Sequence, residues 1–321
     1  MAETQTKSVG GESSSLRWWI ILLLALGMVI AYASRSNVGV AITIPDFVEM
    51  FKLTDTDRGT LNSAFFWTYA LLQFPAGWVV DRFGVKIPYA LSFLFWSLAA
   101  AATGLGRDFS QLLGLRMLVG AGEAIVAPAS YKWIRNNFEE KQRGLANGLY
   151  MAGTKIGPAI GTPLAAWLVV VSDWRMMFVW IGLGGLVWLI PWMLLVRRDD
   201  PKAEAAQAAK TVQKTPAAAP VPFGVIMASP VMWGTIIGSF SYMYFVYFCM
   251  TWMPAYFVEA RGLSLSKMGL YTFFSFGGMA LVAILAGWAA DRIIARGHNA
   301  VMVRKWFTIA GFLVACTELI G

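Results

Sequence analysis

Long apolar stretches are the feature of this sequence that most restricts what the chain can fold into. A helix needs about 20 residues to cross the roughly 30 Å hydrocarbon core of a bilayer. Nine stretches are long enough to cross, given a usual range of about 17–25 residues. They lie at residues 18–44, 60–80, 86–106, 110–134, 144–171, 176–196, 231–257, 268–290 and 305–321. Because backbone polar groups in lipid must be satisfied within the chain, such stretches form helices. The sequence therefore predicts an all-α polytopic membrane protein with nine transmembrane helices.

Composition excludes other classes of protein. Hydrophobic residues make up 58% of the chain and charged residues only 14%, which is atypical of a soluble enzyme and opposite to a disordered regulator. Cys249 and Cys316 both lie in apolar stretches, and the only histidine, His298, lies in a predicted loop without partners. We therefore expect no disulfide framework, no metal site, no cofactor and no enzymatic activity.

The distribution of basic residues predicts the orientation. If the N-terminus is cytoplasmic, 17 of the 26 Lys and Arg residues fall in cytoplasmic segments and six in outer segments. The other three, Arg35, Arg116 and Lys155, lie within the stretches themselves. This bias is typical of multi-pass proteins and predicts a cytoplasmic N-terminus in the cell membrane. It also accounts for the net charge of +8 without a nucleic-acid partner.

The chain repeats itself at an offset of 210 residues. Residues 47–82 and 257–292 share 13 identities in 36 positions without a gap, including Ala76-Gly77-Trp78 with Ala286-Gly287-Trp288. Six stretches fit in one period, so the copies have the same orientation, as in transporters with two related halves. Residue 321 corresponds to residue 111, just after the third stretch. The pattern predicts a C-terminally truncated transporter with nine of an expected twelve helices.

The repeat and the linker composition predict four regions. They are a cytoplasmic N-terminal lead at 1–17, a six-helix N-terminal half at 18–196, a cytoplasmic linker at 197–224, and a partial C-terminal half with helices 7 to 9 at 225–321. The linker is rich in Ala, Pro and Lys and has no apolar face, which is typical of a solvated connection.

One loop resembles the signature of a large transporter family. GWVVDRFGVK, from Gly77 to Lys86, resembles the signature loop of the major facilitator superfamily, and GWAADR, from Gly287 to Arg292, resembles its second copy. We expect Gly77 to permit close approach of helix ends, and Asp81 and Arg82 to form a charge cluster that holds one conformation. The candidate conformational residues are Gly77, Asp81, Arg82, Gly84, Lys86, Gly287, Asp291 and Arg292.

Five further segments resemble the anion:cation symporter family, which includes hexuronate and galactonate permeases. They are YASRSNVGVA, LRMLVGAGEA, GTKIGPAIGTPL, DWRMMF and TWMPAYFVEARGLS. The resemblance implies a monomeric, two-half transporter that moves an organic anion, such as a hexuronate or an aldonate, by proton symport with alternating access. An anion exchanger, or a sodium- or phosphate-linked carrier of the same family, is the alternative.

Four charged residues lie well inside the first six predicted helices: Arg35, Arg116, Glu123 and Lys155. Charge inside a bilayer costs about 2.5–3.5 kcal/mol by insertion scales, so each residue needs a cavity or a partner. Three cations against one carboxylate favour an anionic substrate, which a guanidinium can bind with two hydrogen bonds. The alternative for each is a structural role, such as bonding the carbonyls of a neighbouring helix.

Other polar positions complete the predicted cavity. Tyr32, Asn37, Tyr69 and Gln73 on the first two stretches, and Thr154 beside Lys155 on the fifth, line it or form ordinary interhelical hydrogen bonds. Some proton-coupled members of the resembled family have an Asp where this chain has Ser34. Glu123 is then the only carboxylate well inside the first six stretches, and it is the predicted proton-coupling residue.

Overall fold

The computed structural model describes residues 14–197 and 223–317, and every regular element in those ranges is helical. The α-helices, numbered in chain order, are α1 Ser14–Ala41, α2 Pro45–Phe51, α3 Asp55–Phe83, α4 Lys86–Ala102, α5 Phe109–Glu123, α6 Val126–Asn137, α7 Glu140–Val171, α8 Trp174–Gly185, α9 Leu189–Leu195, α10 Phe223–Met227, α11 Pro230–Ala255, α12 Leu265–Ala295 and α13 Ala300–Thr317. We refer to residues 14–197 as the N-terminal segment and to residues 223–317 as the C-terminal segment.

Seven helical stretches within the described ranges are long and apolar enough to cross a membrane, against the nine predicted. They are Ser15–Ala41, Lys86–Leu105, Phe109–Asn137, Gln142–Val171, Trp174–Leu195, Pro230–Ala260 and Leu265–Ala295. The predicted stretch 60–80 lies in α3, which is long enough but less apolar because Asn62, Gln73 and Pro75 interrupt it. The predicted stretch 305–321 overlaps α13 and continues into residues 318–321, outside the described residues.

The predicted boundaries fall partly outside the described residues. Of the lead at 1–17, only residues 14–17 are described, and they already belong to α1. Of the linker at 197–224, residues 198–222 are outside the described residues, and α10 begins at Phe223. The division of the chain into two halves joined by this linker stays a prediction.

The glycine stripe of α7 packs directly on α1. A Cβ added at Gly153 would lie 2.6 Å from the Ala25 carbonyl oxygen, and one at Gly157 would lie 2.5 Å from Tyr32 Cβ. At Gly161 the corresponding distance is 2.6 Å, to the Cα of Ala33. Small residues every four positions let two helix backbones approach this closely. The stripe therefore determines how α7 lies against the helix that carries Tyr32 and Arg35.

Replacing Gly157 with Ala is expected to destabilise the protein by about 1–3 kcal/mol, because the new methyl group overlaps Tyr32. Gly148→Ala is the matched control on the same helix, since a Cβ there meets nothing within 4 Å. That variant should retain or slightly gain stability, because Ala is the better helix former. Thermal unfolding in detergent measures both. Equal melting temperatures for the two variants would contradict the packing role of the stripe.

The two copies of the sequence repeat have the same backbone geometry at corresponding residues. At the offset of 210 residues, Lys52 corresponds to Gly262, and both have left-handed backbone, with φ of 51° and 63°. Thr54 corresponds to Ser264, and these two residues are the N-caps of α3 and α12. In the first copy, hydrogen bonds from the hydroxyl and the backbone N–H of Thr54 lower the pKa of Asp57. The same turn and cap therefore begin corresponding helices.

Glu123 lies at a break between two helices. Helix α5 ends at Glu123 and α6 begins at Val126. Pro128 has no backbone N–H, so it cannot bond the carbonyl of Ala124, and its ring crowds that carbonyl. Helical bonding is interrupted at residues 124–125 for this reason. The only carboxylate of the predicted spans in the N-terminal segment thus lies at a defined discontinuity.

The two segments contact each other near the end that is predicted to face outside. A Cβ at Gly39 would lie 2.7 Å from the Met250 carbonyl oxygen, and one at Gly269 would lie 2.9 Å from Pro163 Cα. Arg58 at the start of α3 forms a 2.6 Å ion pair with Glu259, in the π-helical turn Tyr256–Ala260. These contacts close the predicted outer end of the interface.

Candidate functional site

A buried ion pair lies at the centre of the site. Arg35 on α1 donates from Nε to Oε2 of Glu123 at 2.7 Å, although the two residues are 88 positions apart in the chain. Arg35 is 5% exposed and Glu123 is fully buried. The sequence predicted both residues but not their pairing. Because Oε1 of Glu123 has no hydrogen-bond partner among the described residues, the carboxylate keeps an unused acceptor.

Aromatic rings surround the Arg35 guanidinium. Its central carbon lies 4.4 Å from the ring centre of Tyr32, 4.6 Å from that of Phe65 and 4.8 Å from that of Tyr69. The faces of aromatic rings attract a cation, and this attraction is stronger where water is excluded. The rings also restrict the orientation of the planar guanidinium. Tyr32 and Tyr69, predicted to line the cavity, therefore contact the predicted substrate arginine directly.

Tyr247 joins the C-terminal segment to this pair. Its hydroxyl accepts a hydrogen bond from Nη1 of Arg35 at 3.1 Å and lies 3.3 Å from the hydroxyl of Tyr32. Tyr247 is on α11, which lies beyond the linker, so the central arginine contacts both segments. This tyrosine was not among the predicted site residues. Its only signal was its position in the aromatic run YMYFVYF, which fits a lipid-facing surface equally well.

Arg116 faces a small cavity beside the pair. The cavity has a volume of about 10 Å³, the size of one water molecule. Arg116 is 4% exposed, and its Nε has no hydrogen-bond partner among the described residues. Both segments supply the lining: Arg35, Asn62, Phe65, Phe66, Arg116, Tyr247, Met250 and Thr251. The Arg116 guanidinium also lies 5.5 Å from the ring centre of Phe65. A buried guanidinium with a free N–H beside a cavity can bind an anion.

Lys155 contacts the C-terminal segment as well. Its Nζ donates to the hydroxyl of Tyr242 at 2.5 Å and lies 5.0 Å from the centre of that ring. The neighbouring Thr154 donates instead to the carbonyl of Met151 in its own helix, at 2.8 Å. In this conformation, the Thr154 hydroxyl is therefore engaged by the backbone rather than by a cavity.

Two other predicted cavity residues lie outside the lining described above. Asn37 is buried on α1, one helical turn or less from Arg35, and its Oδ1 has no hydrogen-bond partner among the described residues. Gln73 is half-buried on α3, one turn beyond Tyr69 towards the predicted cytoplasmic end. Asn62, which was not among the predicted site residues, lines the cavity instead.

The signature loop forms a charge contact with a partner that was not predicted. Asp81 pairs with Lys132 on α6 at 3.3 Å, and the Lys132 ammonium also donates to the Val80 carbonyl at 3.0 Å. Arg82, which was predicted to belong to the same charge cluster as Asp81, lies over the ring of Trp78 instead, at 5.6 Å. In the second copy, Arg292 takes the same position over Trp288, at 4.5 Å. The cluster thus joins α3 to α6.

Glycines of the signature loop differ in role. Gly84 has φ of 82°, a left-handed conformation that favours glycine, and it ends α3. No helix packs closely against Gly77 in this conformation, because a Cβ there would meet nothing within 4 Å, and the same holds for Gly287.

Two charged residues of the signature loops have different surroundings. Lys86 donates to the carbonyl of Met193 at 2.7 Å. Asp291 is exposed.

The long apolar helices and the buried cations between them define a polytopic membrane protein of the transporter class. Residues 24–320 match the model of the Major Facilitator Superfamily. The chain belongs to this superfamily, as the signature loop predicted.

Curated relatives narrow the resemblance to sugar-acid permeases. The chain is 28% identical to the D-galactonate transporter of Escherichia coli O6:H1, over 93% of this chain and 73% of the relative. It is 30% identical to the probable galactarate/D-glucarate transporter of Bacillus subtilis, over 97% and 72% respectively. With the probable L-galactonate transporter of Escherichia coli K12, identity is 32%, over 91% and 65%. These relatives are transporters and not enzymes, and they confirm the predicted family resemblance.

Solved structures of low identity share the fold. A bacterial homolog of the human lysosomal transporter Spinster, in an inward-facing and occupied conformation, superposes with a TM-score of 0.70 at 20% identity. The alignment covers 87% of this chain and 61% of that one. The D-xylose-proton symporter superposes with a TM-score of 0.66 at 15% identity, over 87% of this chain and 70% of the symporter. The chain thus spans about three fifths of the first of these structures, and the activity of the whole protein is a proposal.

Proposed function

We propose that the protein is a secondary active transporter that moves a sugar acid together with a proton across the cell membrane by alternating access. The observation that carries the proposal is the buried Arg35–Glu123 pair beside the unpaired Arg116, in contact with Tyr247 of the C-terminal segment. The relatives named for galactonate, galactarate and glucarate support the substrate class.

The substrate carboxylate would bind between Arg35 and Arg116. The planar guanidinium of Arg116 is free at Nε, and Arg35 offers its remaining N–H groups once Glu123 gives way. Once the cavity widens to admit the substrate, sugar hydroxyls would bond the polar groups that line it, among them Asn62, Tyr247 and Thr251. Bidentate Arg–carboxylate bonds are stronger than neutral hydrogen bonds, so they supply most of the affinity.

Glu123 would couple the proton to the substrate. An ionised Glu123 occupies the Arg35 guanidinium at 2.7 Å, so an incoming carboxylate competes with it. Protonation removes the negative charge of Glu123 and releases Arg35 to the substrate. Substrate binding and proton binding then favour each other, which is the reciprocal linkage that a symporter requires.

The two segments would rock about this site with the N-terminus in the cytoplasm. In that orientation the Gly39–Met250 and Gly269–Pro163 approaches and the Arg58–Glu259 pair close the outer side. In the proposed orientation these contacts would make the conformation closed to the outside, and opening outwards would require the Arg58–Glu259 pair to break.

Breaking the outer ion pair is expected to open the site to the outside more often. Glu259→Gln should increase severalfold the rate at which a membrane-impermeant thiol reagent, added outside, labels a cysteine introduced at Thr251, in a background without native cysteines. Arg261→Gln is the control. It also removes one charge at the predicted outer end, but Arg261 bonds Tyr256 within its own segment, so the contact between the two segments is kept. Equal labelling rates in the two variants would show that the pair does not restrain opening.

The proposed function is tested directly by uptake. Cells that lack sugar-acid uptake of their own and express the protein from its complete gene should accumulate labelled galactonate or glucarate, and a protonophore should abolish the accumulation. Uptake that depends on sodium instead would favour the sodium-linked carrier. Absence of sugar-acid uptake in cells with the protein correctly inserted would refute the proposed substrate class.

A further inference from the structure

Within residues 14–197 and 223–317, the charges buried at the interface of the two segments do not cancel. Arg35, Arg116 and Lys155 lie there with Glu123, the only carboxylate well inside the predicted spans of the N-terminal segment. With Glu123 ionised, three cations against one anion leave an excess of two positive charges. Arg35 is paired with Glu123, Arg116 has a free Nε, and Lys155 bonds a neutral hydroxyl of Tyr242. Among the described residues, Arg116 and Lys155 are therefore the two cations of this group that form no ion pair within 4 Å.

These two cations lie on opposite sides of the central pair. Arg116 is seven residues before Glu123 on α5, roughly 10 Å towards the predicted outer end. Lys155 contacts Tyr242, which precedes Tyr247 on α11 by five residues, roughly 7.5 Å towards the predicted cytoplasmic end. Since Tyr247 bonds Arg35, the order along the interface is Arg116, the Arg35–Glu123 pair, and then Lys155.

Helix packing holds Lys155 close to the central group. Gly157, two residues further along α7, lies against the Cβ of Tyr32, and Tyr32 bonds Tyr247. Ala159 on the same helix packs in one cluster with Tyr32 and Tyr247. The Lys155 ammonium and the Arg35 guanidinium are thus carried by elements that touch each other, and both face α11.

We propose that the site is specific for a dianion, an extended sugar acid with a carboxylate at each end. This inference rests on the proposed function and names the substrate class within it. One carboxylate binds between Arg35 and Arg116, and the other binds Lys155, with the Tyr242 hydroxyl as a second donor. When the substrate is bound, Glu123 is protonated, so the substrate alone faces the three cations. A dianion compensates two of them and a monocarboxylate only one, and each cation left in the membrane without a counter-ion is costly.

Binding of two six-carbon sugar acids tests the inference. The probes are D-glucarate, which has two carboxylates, and D-galactonate, which has one, added to the purified protein expressed from its complete gene. We expect the wild type to bind glucarate at least about tenfold more tightly, the scale of one added charged hydrogen bond. Lys155→Gln should reduce that ratio about tenfold, and Lys155→Arg should retain most of it.

Two further variants make the test independent of how well Lys155→Gln folds. Tyr242→Phe removes only the hydroxyl that contacts Lys155, and it should reduce the glucarate-to-galactonate ratio severalfold. Lys267→Gln removes an exposed lysine at the start of α12 and should leave the ratio unchanged.

The outcomes separate this inference from the proposed function. Equal affinities, or tighter galactonate binding, in the wild type would overturn the dianion inference and leave sugar-acid transport standing. A wild-type preference for glucarate that survives Lys155→Gln and Tyr242→Phe would overturn the assignment of the second carboxylate to Lys155. If the folded wild type binds neither sugar acid, the proposed function fails and this inference fails with it.

Discussion

Replacing Glu123 with Gln is expected to abolish the accumulation of sugar acid driven by a pH gradient, while counterflow exchange of substrate continues. Glutamine keeps an oxygen that can accept the Arg35 Nε–H, but it cannot take up or release a proton. The variant therefore mimics the protonated state, in which Arg35 is available to the substrate. Transport down a substrate gradient needs no change in protonation, whereas uphill transport does.

Two assays on one preparation of the full-length protein decide this prediction. Uptake into liposomes that are acid outside should fall to the protein-free background, and exchange of labelled for unlabelled substrate should remain within about threefold of wild type, a change below 1 kcal/mol. Glu140→Gln, at an exposed carboxylate at the start of α7, is the matched control and should retain both activities. Surviving accumulation in Glu123→Gln would remove the main residue of the symport proposal, and loss of both activities would indicate a role in binding or folding.

Replacing Arg116 with Lys is expected to weaken substrate binding by about 1–3 kcal/mol, which corresponds to roughly a 5- to 150-fold rise in Kd. Lysine keeps the charge but loses the planar fork that holds a carboxylate with two hydrogen bonds. Because the Arg116 Nε has no hydrogen-bond partner among the described residues, the substitution should change thermal stability less than it changes binding. Arg107→Lys, at an exposed position before α5, is the control and should bind normally.

The corresponding change at Arg35 is expected to affect both binding and stability. Arg35→Lys loses the Nε–H that bonds Glu123 as well as the flat contact with the rings of Tyr32 and Phe65. Lysine keeps the charge, but a buried ion pair with poorer geometry no longer repays the cost of desolvating its charges, so the melting temperature should fall together with the affinity. Substrate titration and thermal unfolding of both arginine variants measure the difference. Normal binding in both would mean that the anion is held elsewhere, with Lys155 the next candidate.

Some segments that resemble the symporter family have a structural role in this protein. In DWRMMF, Asp173 caps α8 by accepting the Met176 N–H at 2.7 Å, and Trp174 packs on Phe47 with ring centres 4.9 Å apart. Arg175 donates to the carbonyl of Gly104 at 2.8 Å. A family motif therefore indicates the fold as much as the site, and sequence alone did not separate the two uses.

The sequence by itself determined the class of this protein and most of its candidate residues. Apolar length and composition decide that a stretch becomes a membrane helix, because lipid leaves the backbone no other way to satisfy its hydrogen bonds. Buried charge is so costly in lipid that Arg35, Arg116, Glu123 and Lys155 stand out in the sequence without any structure. The signature loop and the 210-residue repeat are also properties of the chain alone, and the family match agrees with them.

Only the tertiary structure decided which of these residues meet. Helical periodicity places a side chain on a face, but the partner of that face depends on the packing of helices that are far apart in sequence. Arg35 meets Glu123 across 88 residues and Tyr247 across 212, and the Asp81 carboxylate meets Lys132 rather than the neighbouring Arg82. The Gly153 to Gly161 stripe brings α7, which carries Lys155, against α1, which carries Arg35.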